Sequence, residues 1–211
     1  VIEHYEEDGK TLTLRRRGDV VDLLLGNVVL LSSAALETEL ELGRLVRTLV
    51  PGARRVLVGG LGFGATVRGV LDVHGVHVKV VEKLATVEKL LRGPLAHLAH
   101  GVLDDPRVEV VRADVADAIA AERDLDAILL DVDNGPEWAS FRTNARLYAP
   151  AGLAAARAAL APGGVLVVWS GYAADAFVPK LRAAGFSPSV VPLRERGVVR
   201  ARAYVGRTPD P

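Results

Sequence analysis

Apolar positions along the chain change their period several times, and each change marks an element. Thr11-Leu-Thr-Leu-Arg alternates with period two, as a half-buried strand does. Gly18-Asp19 interrupts it, Val20 to Leu25 form a second strand, Gly26-Asn27 turns again, and Val28 to Leu31 form a third. Strands this short make a small antiparallel appendage and not a core. The period then lengthens. Leu42, Leu45, Val46, Leu49 and Val50 share one helical stripe that ends at Pro51-Gly52, with Ser32 or Ser33 as its candidate cap.

Strand and helix alternate from there on. The apolar run Val56 to Val58 stops at Gly59, Gly60, Gly62 and Gly64, and a helix from near Gly64 carries Val67, Val70 and Leu71. Val76 to Val81 form a second buried strand, which closes on Glu82. A helix from about Ala85 to His100 presents Val87, Leu90 and Leu91 on one face, and Pro94 breaks or kinks it. Val108 to Val111 form a third strand with Asp114 at its carboxyl end, and a short helix follows through Ala120. Asp126 to Asp131 form a fourth strand, again ending on an acid, before a polar loop from Val132 to Asn144 of the length that often carries function. An alanine-rich helix, Pro150 to Leu160, turns at Pro162-Gly-Gly into a fifth strand, Val165 to Trp169. After a helix from about Ala174 to Ala184, Ser189 to Leu193 and Val199 to Val205 are spaced to pair as an antiparallel hairpin. The pattern predicts an α/β fold with a seven-stranded, mainly parallel sheet. The chain divides into an N-terminal appendage, 1–33, and a Rossmann-like domain, 34–211.

In open parallel sheets, ligands bind outside the carboxyl ends of the strands. Gly60 to Gly64, Glu82, Asp114 and Asp131 all fall there, and their convergence is the argument for a site. A glycine turn leaves the backbone free to approach a ligand closely, and an acid ending the second strand is placed to accept hydrogen bonds from both hydroxyls of a ribose. The spacing Gly60-x-Gly62-x-x-Ala65 permits a dinucleotide, while Gly60-x-Gly62-x-Gly64 fits S-adenosylmethionine binders better.

Composition narrows the chemistry. Among 211 residues, half are hydrophobic, and 26 Lys and Arg balance 26 Asp and Glu. No overall field favours nucleic acid or an anionic membrane, so neither is an expected partner. The basic run Arg15 to Arg17 is expected to be a solvated hairpin end. With no cysteine, disulfides, thiolate metal sites and a Cys nucleophile are excluded. His97 and His100 have no third ligand in view, so no metal is expected. The N-terminus is acidic and carries no signal-peptide pattern, and a cytoplasmic location is expected. The absent initial Met points to processing or trimming. Tyr148 is expected in the core, while Trp138, Phe141 and Trp169 are candidates for either a pocket wall or packing.

The run Val56-Leu-Val-Gly-Gly-Leu-Gly-Phe-Gly64, Glu82, Asp104-Asp-Pro-Arg-Val-Glu-Val-Val-Arg-Ala-Asp114, Asp126-Ala-Ile-Leu-Leu-Asp131 and Leu160-Ala-Pro-Gly-Gly164 together resemble the spermidine synthase family. That family is a branch of the class I S-adenosylmethionine-dependent transferases, and the resemblance covers about residues 20 to 170. It implies the class I methyltransferase fold with an antiparallel last strand. It implies S-adenosylmethionine or its decarboxylated form as donor substrate, a small-molecule amine acceptor and a homodimer. By resemblance, Gly60, Gly62 and Gly64 pass beneath the methionine part of the donor, Glu82 holds the ribose, and Asp114 and the Val115 backbone recognise adenine. Asp131 orients or deprotonates the attacking amine. Asp133 is a second catalytic candidate, and Glu137 and Trp138 are candidates for the acceptor pocket. The chain also departs from the family. Phe63 stands where the family has an Asp in its glycine loop, Leu30 where it has a Gln, and Glu39 where it has a gating Tyr. Val132-Asp-Asn-Gly-Pro136 replaces Ser-Ser-Asp-Pro. The nucleoside half matches and the aminopropyl and polyamine half does not. The expected function is a spermidine-synthase-like transfer of a methyl or aminopropyl group to a changed amine acceptor. The alternatives are a non-catalytic nucleoside-binding or dimer-forming paralogue and an NAD-dependent oxidoreductase.

Overall fold

The computed structural model describes residues 2–132, 135–136 and 144–210. Its N-terminal sheet is an antiparallel meander of four strands, β1 (Ile2–Glu7), β2 (Lys10–Arg17), β3 (Val20–Leu25) and β4 (Val28–Ser32), in that order. The sequence pattern supplies only the last three. β1 is an edge strand that leaves every second residue exposed and buries none fully, so its alternation of Glu and His with Ile and Tyr carries little apolar signal. The run Arg15 to Arg17 is not simply solvated either. Arg15 and Arg17 each donate to the buried Asp22 carboxylate at 2.9 Å, and Ser32 Oγ donates to it at 2.7 Å. Ser32 is thereby occupied, and Ser33 Oγ accepts from the Val21 amide, so neither serine caps the next helix. That helix, α1 (Glu37–Leu49), starts behind Leu36 with no side-chain cap.

The large sheet contains β5 (Arg55–Gly59), β6 (His77–Glu82), β7 (Val108–Arg112), β8 (Leu125–Leu130), β9 (Leu160–Ser170), β10 (Ser187–Glu195) and β11 (Val198–Arg207). Its order is β10-β11-β9-β8-β5-β6-β7. The pairs from β7 through to β9 are parallel, while β11 runs antiparallel to both β9 and β10. This is the expected mainly parallel sheet with an antiparallel last strand. β9 begins five residues earlier than the pattern predicts, because Leu160 already pairs with Leu125 and the Pro162-Gly-Gly stretch is absorbed as a register shift. The helices are α1, α2 (Ala65–Val70), α3 (Ala85–Arg92), α4 (Ala96–Ala99), α5 (Val115–Ala121), α6 (Pro150–Ala159) and α7 (Phe177–Ala183). Pro94 separates α3 from α4, as expected of a residue that removes a helical hydrogen bond.

Apolar side chains cover both faces of the sheet. Leu12, Leu14, Val21 and Leu23 of the small sheet join Val56, Val58, Val87 and Leu91 in one continuous core. On the opposite face Tyr148, Phe177 and Tyr204 pack edge to face beside Leu57, Ile128 and Leu166. A polar clasp reinforces the first contact. The Glu7 carboxylate at the end of β1 accepts from the Ala85 and Thr86 amides, at 2.6 and 2.9 Å, at the start of α3. The position matches the positive end of the helix dipole.

α1 and α2 cross so closely that only glycine fits between them. A Cβ on Gly43 would overlap the Thr66 carbonyl oxygen, and one on Gly69 would overlap that of Leu40. These obstacles are backbone, with no rotamer to yield. Gly69→Ala is therefore expected to destabilise the fold and lower the urea midpoint. The overpacking cost falls at the upper end of about 1–3 kcal/mol, against roughly 1 kcal/mol gained in helix propensity.

Candidate active site

The carboxyl ends of β5, β6, β7 and β8 open onto a cleft of about 610 Å³. Gly60, Gly62, Glu82, Asp114, Val115 and Asp131 all line it. The small sheet covers it with Leu23 and Val28 to Ser32, α1 adds Thr38 and Glu39, and Trp169 and Arg200 contribute from β9 and β11. Gly64 is not part of the lining. It sits behind the loop as the residue preceding α2, against Val102 and Ala99. Asp133, Glu137, Trp138 and Phe141 lie outside the described residues.

Gly60 is where the turn needs glycine most. Its φ is +92°, and a Cβ there would overlap the Asp131 carbonyl oxygen. The Gly60 amide donates to Val81 O and the Asp131 amide donates to Gly59 O, both at 2.9 Å, so the ends of three strands are laced together. Glu82 holds the loop from the other side, accepting from the Leu61 amide at 2.9 Å and the Leu84 amide at 2.8 Å. Burial pushes its carboxyl above the ordinary value, and these amides only partly offset that. Glu82 lines the cleft while it holds the loop.

Asp114 is already engaged. It caps α5 by accepting from the Ala116 amide at 3.0 Å, and it pairs with Arg146 at 2.6 Å and Lys83 at 3.4 Å. Burial pushes the carboxyl up, but the bonds from Arg146 and Ala116 outweigh it and hold Asp114 below the ordinary carboxylate value.

Asp131 follows β8 and accepts from the buried Thr66 Oγ1 at 2.7 Å. The same hydroxyl lies 3.2 Å from the Glu39 carbonyl oxygen. One hydroxyl hydrogen serves one acceptor at a time. When Asp131 is ionised Thr66 donates to it. When Asp131 is protonated it can donate to Thr66, which then donates to the Glu39 carbonyl. Burial pushes the Asp131 carboxyl up to about 6. Burial, and then the charges of Asp131 and Glu195, push the Glu39 carboxyl well above its ordinary value.

These raised carboxyls make stability depend on pH with a definite sign. The folded protein holds a proton on Asp131 up to about pH 6, whereas an unfolded Asp releases it near 3.8. Stability is expected to fall as pH rises between those values. At about 1.4 kcal/mol per tenfold change in the constant, the fall is at most about 3 kcal/mol, and the open side of the cleft reduces it. Below that window the slope reverses, because Glu7, Asp22, Asp105 and Asp114 are held below their ordinary values and lose their partners on protonation. Urea unfolding at pH 3 to 8 measures both slopes, and Asp131→Asn should flatten the upper one.

No protein-family model matches the chain. Among curated proteins it is 34% identical over 134 residues to polyamine aminopropyltransferase 1 of Hyperthermus butylicus, a match covering 60% of this chain and 44% of that one. It is 39% identical over 129 residues to polyamine aminopropyltransferase 1 of Streptomyces coelicolor, covering 59% of this chain and 23% of the other. The chain spans less than half the length of these relatives. Among solved structures, spermidine synthase from Thermotoga maritima superposes with a TM-score of 0.79 at 20% identity, over 98% of this chain and 72% of its own. A spermidine synthase in complex with the transition-state analogue AdoDATO gives 0.78 at 20% identity, over 100% and 73%. The chain is spermidine synthase-like.

Several cleft residues of this spermidine synthase-like chain escape sequence reasoning. Thr66 follows the glycine loop directly, but a threonine in the first turn of a helix is too common to single out. Glu39 is visible only as a substitution at one position of the family pattern, and not as a carboxylate sharing a cleft with Asp131. Arg200 has no sequence signal. Register slips between Leu193 and Arg194 of β10 and leaves Arg200 as the extra residue of a bulge, the kind of irregularity that re-aims a side chain. Trp169 does both jobs considered for it. It packs partly on the core, lines the cleft, and donates from Nε1 to Thr38 Oγ1 at 3.3 Å. Tyr148 is in the core, as expected. No helix among the described residues is long and apolar enough to cross a membrane.

Proposed function

We propose that the chain is an alkyl transferase that takes a sulfonium nucleoside donor, decarboxylated S-adenosylmethionine first among them, and passes its aminopropyl group to a small amine. The observation that carries this is the opening of Glu82, Asp114 and Asp131, from successive strand ends, onto one cleft with Gly60 and Gly62. The names of the relatives, polyamine aminopropyltransferases, support the aminopropyl group over others.

In this assignment Glu82 accepts from the two ribose hydroxyls while it anchors the loop. Asp114 and the Val115 backbone meet the adenine edge, and Gly60 and Gly62 let the chain of the donor lie against the backbone. The amine lone pair attacks the carbon beside the sulfonium. The carbon–sulfur bond breaks, its electron pair stays on sulfur as a neutral thioether, and the amine loses one proton. A carboxyl that titrates near 6 is ionised at neutral pH yet basic enough to take that proton, which suits Asp131 as general base. Positioning in line does the rest.

Phe63 favours a second reading, methyl transfer from S-adenosylmethionine. It is 3% exposed, belongs to the core and offers no carboxylate to the amino group of an aminopropyl chain. Calorimetric titration with S-adenosylmethionine, its decarboxylated form, methylthioadenosine and NAD separates these. Preference for the decarboxylated donor supports aminopropyl transfer, and preference for S-adenosylmethionine supports methyl transfer. Binding of NAD alone overturns both.

A further inference from the structure

Two carboxylates share one cleft. Asp131 enters from the end of β8 and Glu39 from α1, and both line the same space. Asp131 accepts from Thr66, whereas the Glu39 carboxylate has no hydrogen-bond donor or ion-pair partner among the described residues. Like charges held in a poorly solvated site repel, and the arrangement is relieved by a proton or by a cation. Glu195 at the end of β10 adds to the negative field on Glu39, and Glu82, Lys83, Asp114 and Arg200 line the same cleft. The cleft that holds both carboxylates is also lined by the apolar side chains of Leu23, Val28, Val29, Leu31 and Ala35. A cation with a short hydrocarbon stem matches both features.

We propose that Glu39 is a specificity-determining residue of the acceptor subsite, forming with Asp131 a two-carboxylate clamp for one primary ammonium group. The inference rests on the transferase assignment above and deepens it. In the free protein burial raises both carboxyls, and the Asp131 charge raises Glu39 further, so the pair favours holding a proton. An arriving ammonium replaces that proton, which leaves to solvent, so amine binding is linked to proton release. With both carboxylates then ionised, Asp131 is free to accept the proton that the attacking nitrogen gives up. The same logic explains why glutamate is tolerated at this place: the ligand itself supplies the missing countercharge.

The test uses the full chain saturated with methylthioadenosine and titrated calorimetrically with butane-1,4-diamine and with butylamine at pH 6.5. Two buffers of different ionisation enthalpy report protons released. Wild-type protein is expected to release on the order of one proton per amine bound. Glu39→Gln is isosteric and is expected to weaken amine binding by about tenfold or more. It should also abolish most of the proton release, because the carboxyl raised by burial and by the Asp131 charge is then absent. It should raise the thermal midpoint at pH 8 by removing the repulsion. Methylthioadenosine affinity should stay within about threefold, since Glu39 lies away from Glu82 and Asp114 in the assignment. Unchanged amine affinity and proton release in Glu39→Gln, with methylthioadenosine still bound, overturns the clamp alone. Failure of wild-type protein to bind methylthioadenosine overturns the transferase assignment and the clamp with it.

Discussion

Asp131→Asn is expected to reduce turnover by about 100- to 10,000-fold, the range that a positioned general base contributes, while methylthioadenosine binds almost as before. Asparagine keeps the shape and can still accept from Thr66 through its carbonyl oxygen. What it loses is the capacity to take a proton. The geometry makes this a clean substitution, because the Asp131 backbone, not its side chain, is laced to Gly59 and packed against Gly60. A loss of turnover at saturating donor and amine, measured by thioether product formation, agrees with the role given to Asp131. If the variant turns over at the wild-type rate, the base lies elsewhere. Asp133 would then be the first residue to examine.

Glu82→Ala is the second large effect, and it acts on binding. The wild-type carboxylate accepts from the Leu61, Leu84 and Lys83 amides and lines the cleft. Alanine removes the ligand's partner and leaves three backbone amides without theirs. Hydrogen bonds to a charged group are worth about 1.5–3 kcal/mol, so methylthioadenosine affinity is expected to fall by roughly 10- to 100-fold. Glu82→Gln separates the two contributions. It keeps one carbonyl acceptor for an amide but presents an NH₂ where an acceptor is needed. A folded Glu82→Ala protein that binds methylthioadenosine as tightly as wild type removes Glu82 from the nucleoside site.

The order of strands and helices was legible because it rests on period, and period survives in a single sequence. β5, β6 and β8 are apolar runs buried on both faces, which alternation with helical stripes identifies as parallel strands. The acids at their ends were legible for the same reason: a charged residue closing an apolar run stands out. β1 carries little such signal, since an edge strand buries no residue fully and the partners of its Glu and His lie outside its own sequence pattern. Ser32 and Ser33 looked like caps, yet Asp22 and the Val21 amide, ten or more residues away, claim them. The pairing of Glu39 with Asp131 joins residues far apart in sequence on different elements. No local pattern encodes it. The same holds for Thr66 and for the bulge that carries Arg200.

The tight crossing of α1 and α2 bears on more than stability. Glu39 stands one turn before Gly43, and Thr66 about one turn before Gly69, so the glycine contact fixes how near the Glu39 backbone carbonyl stands to the α2 hydroxyl that steadies Asp131. In the proposed transferase, the space between Glu39 and Asp131 is thus gauged by a shim lying outside the cleft lining. Descendants of this chain could change the girth of the amine they admit through bulk at 43 or 69, with every cleft-lining side chain left as it is.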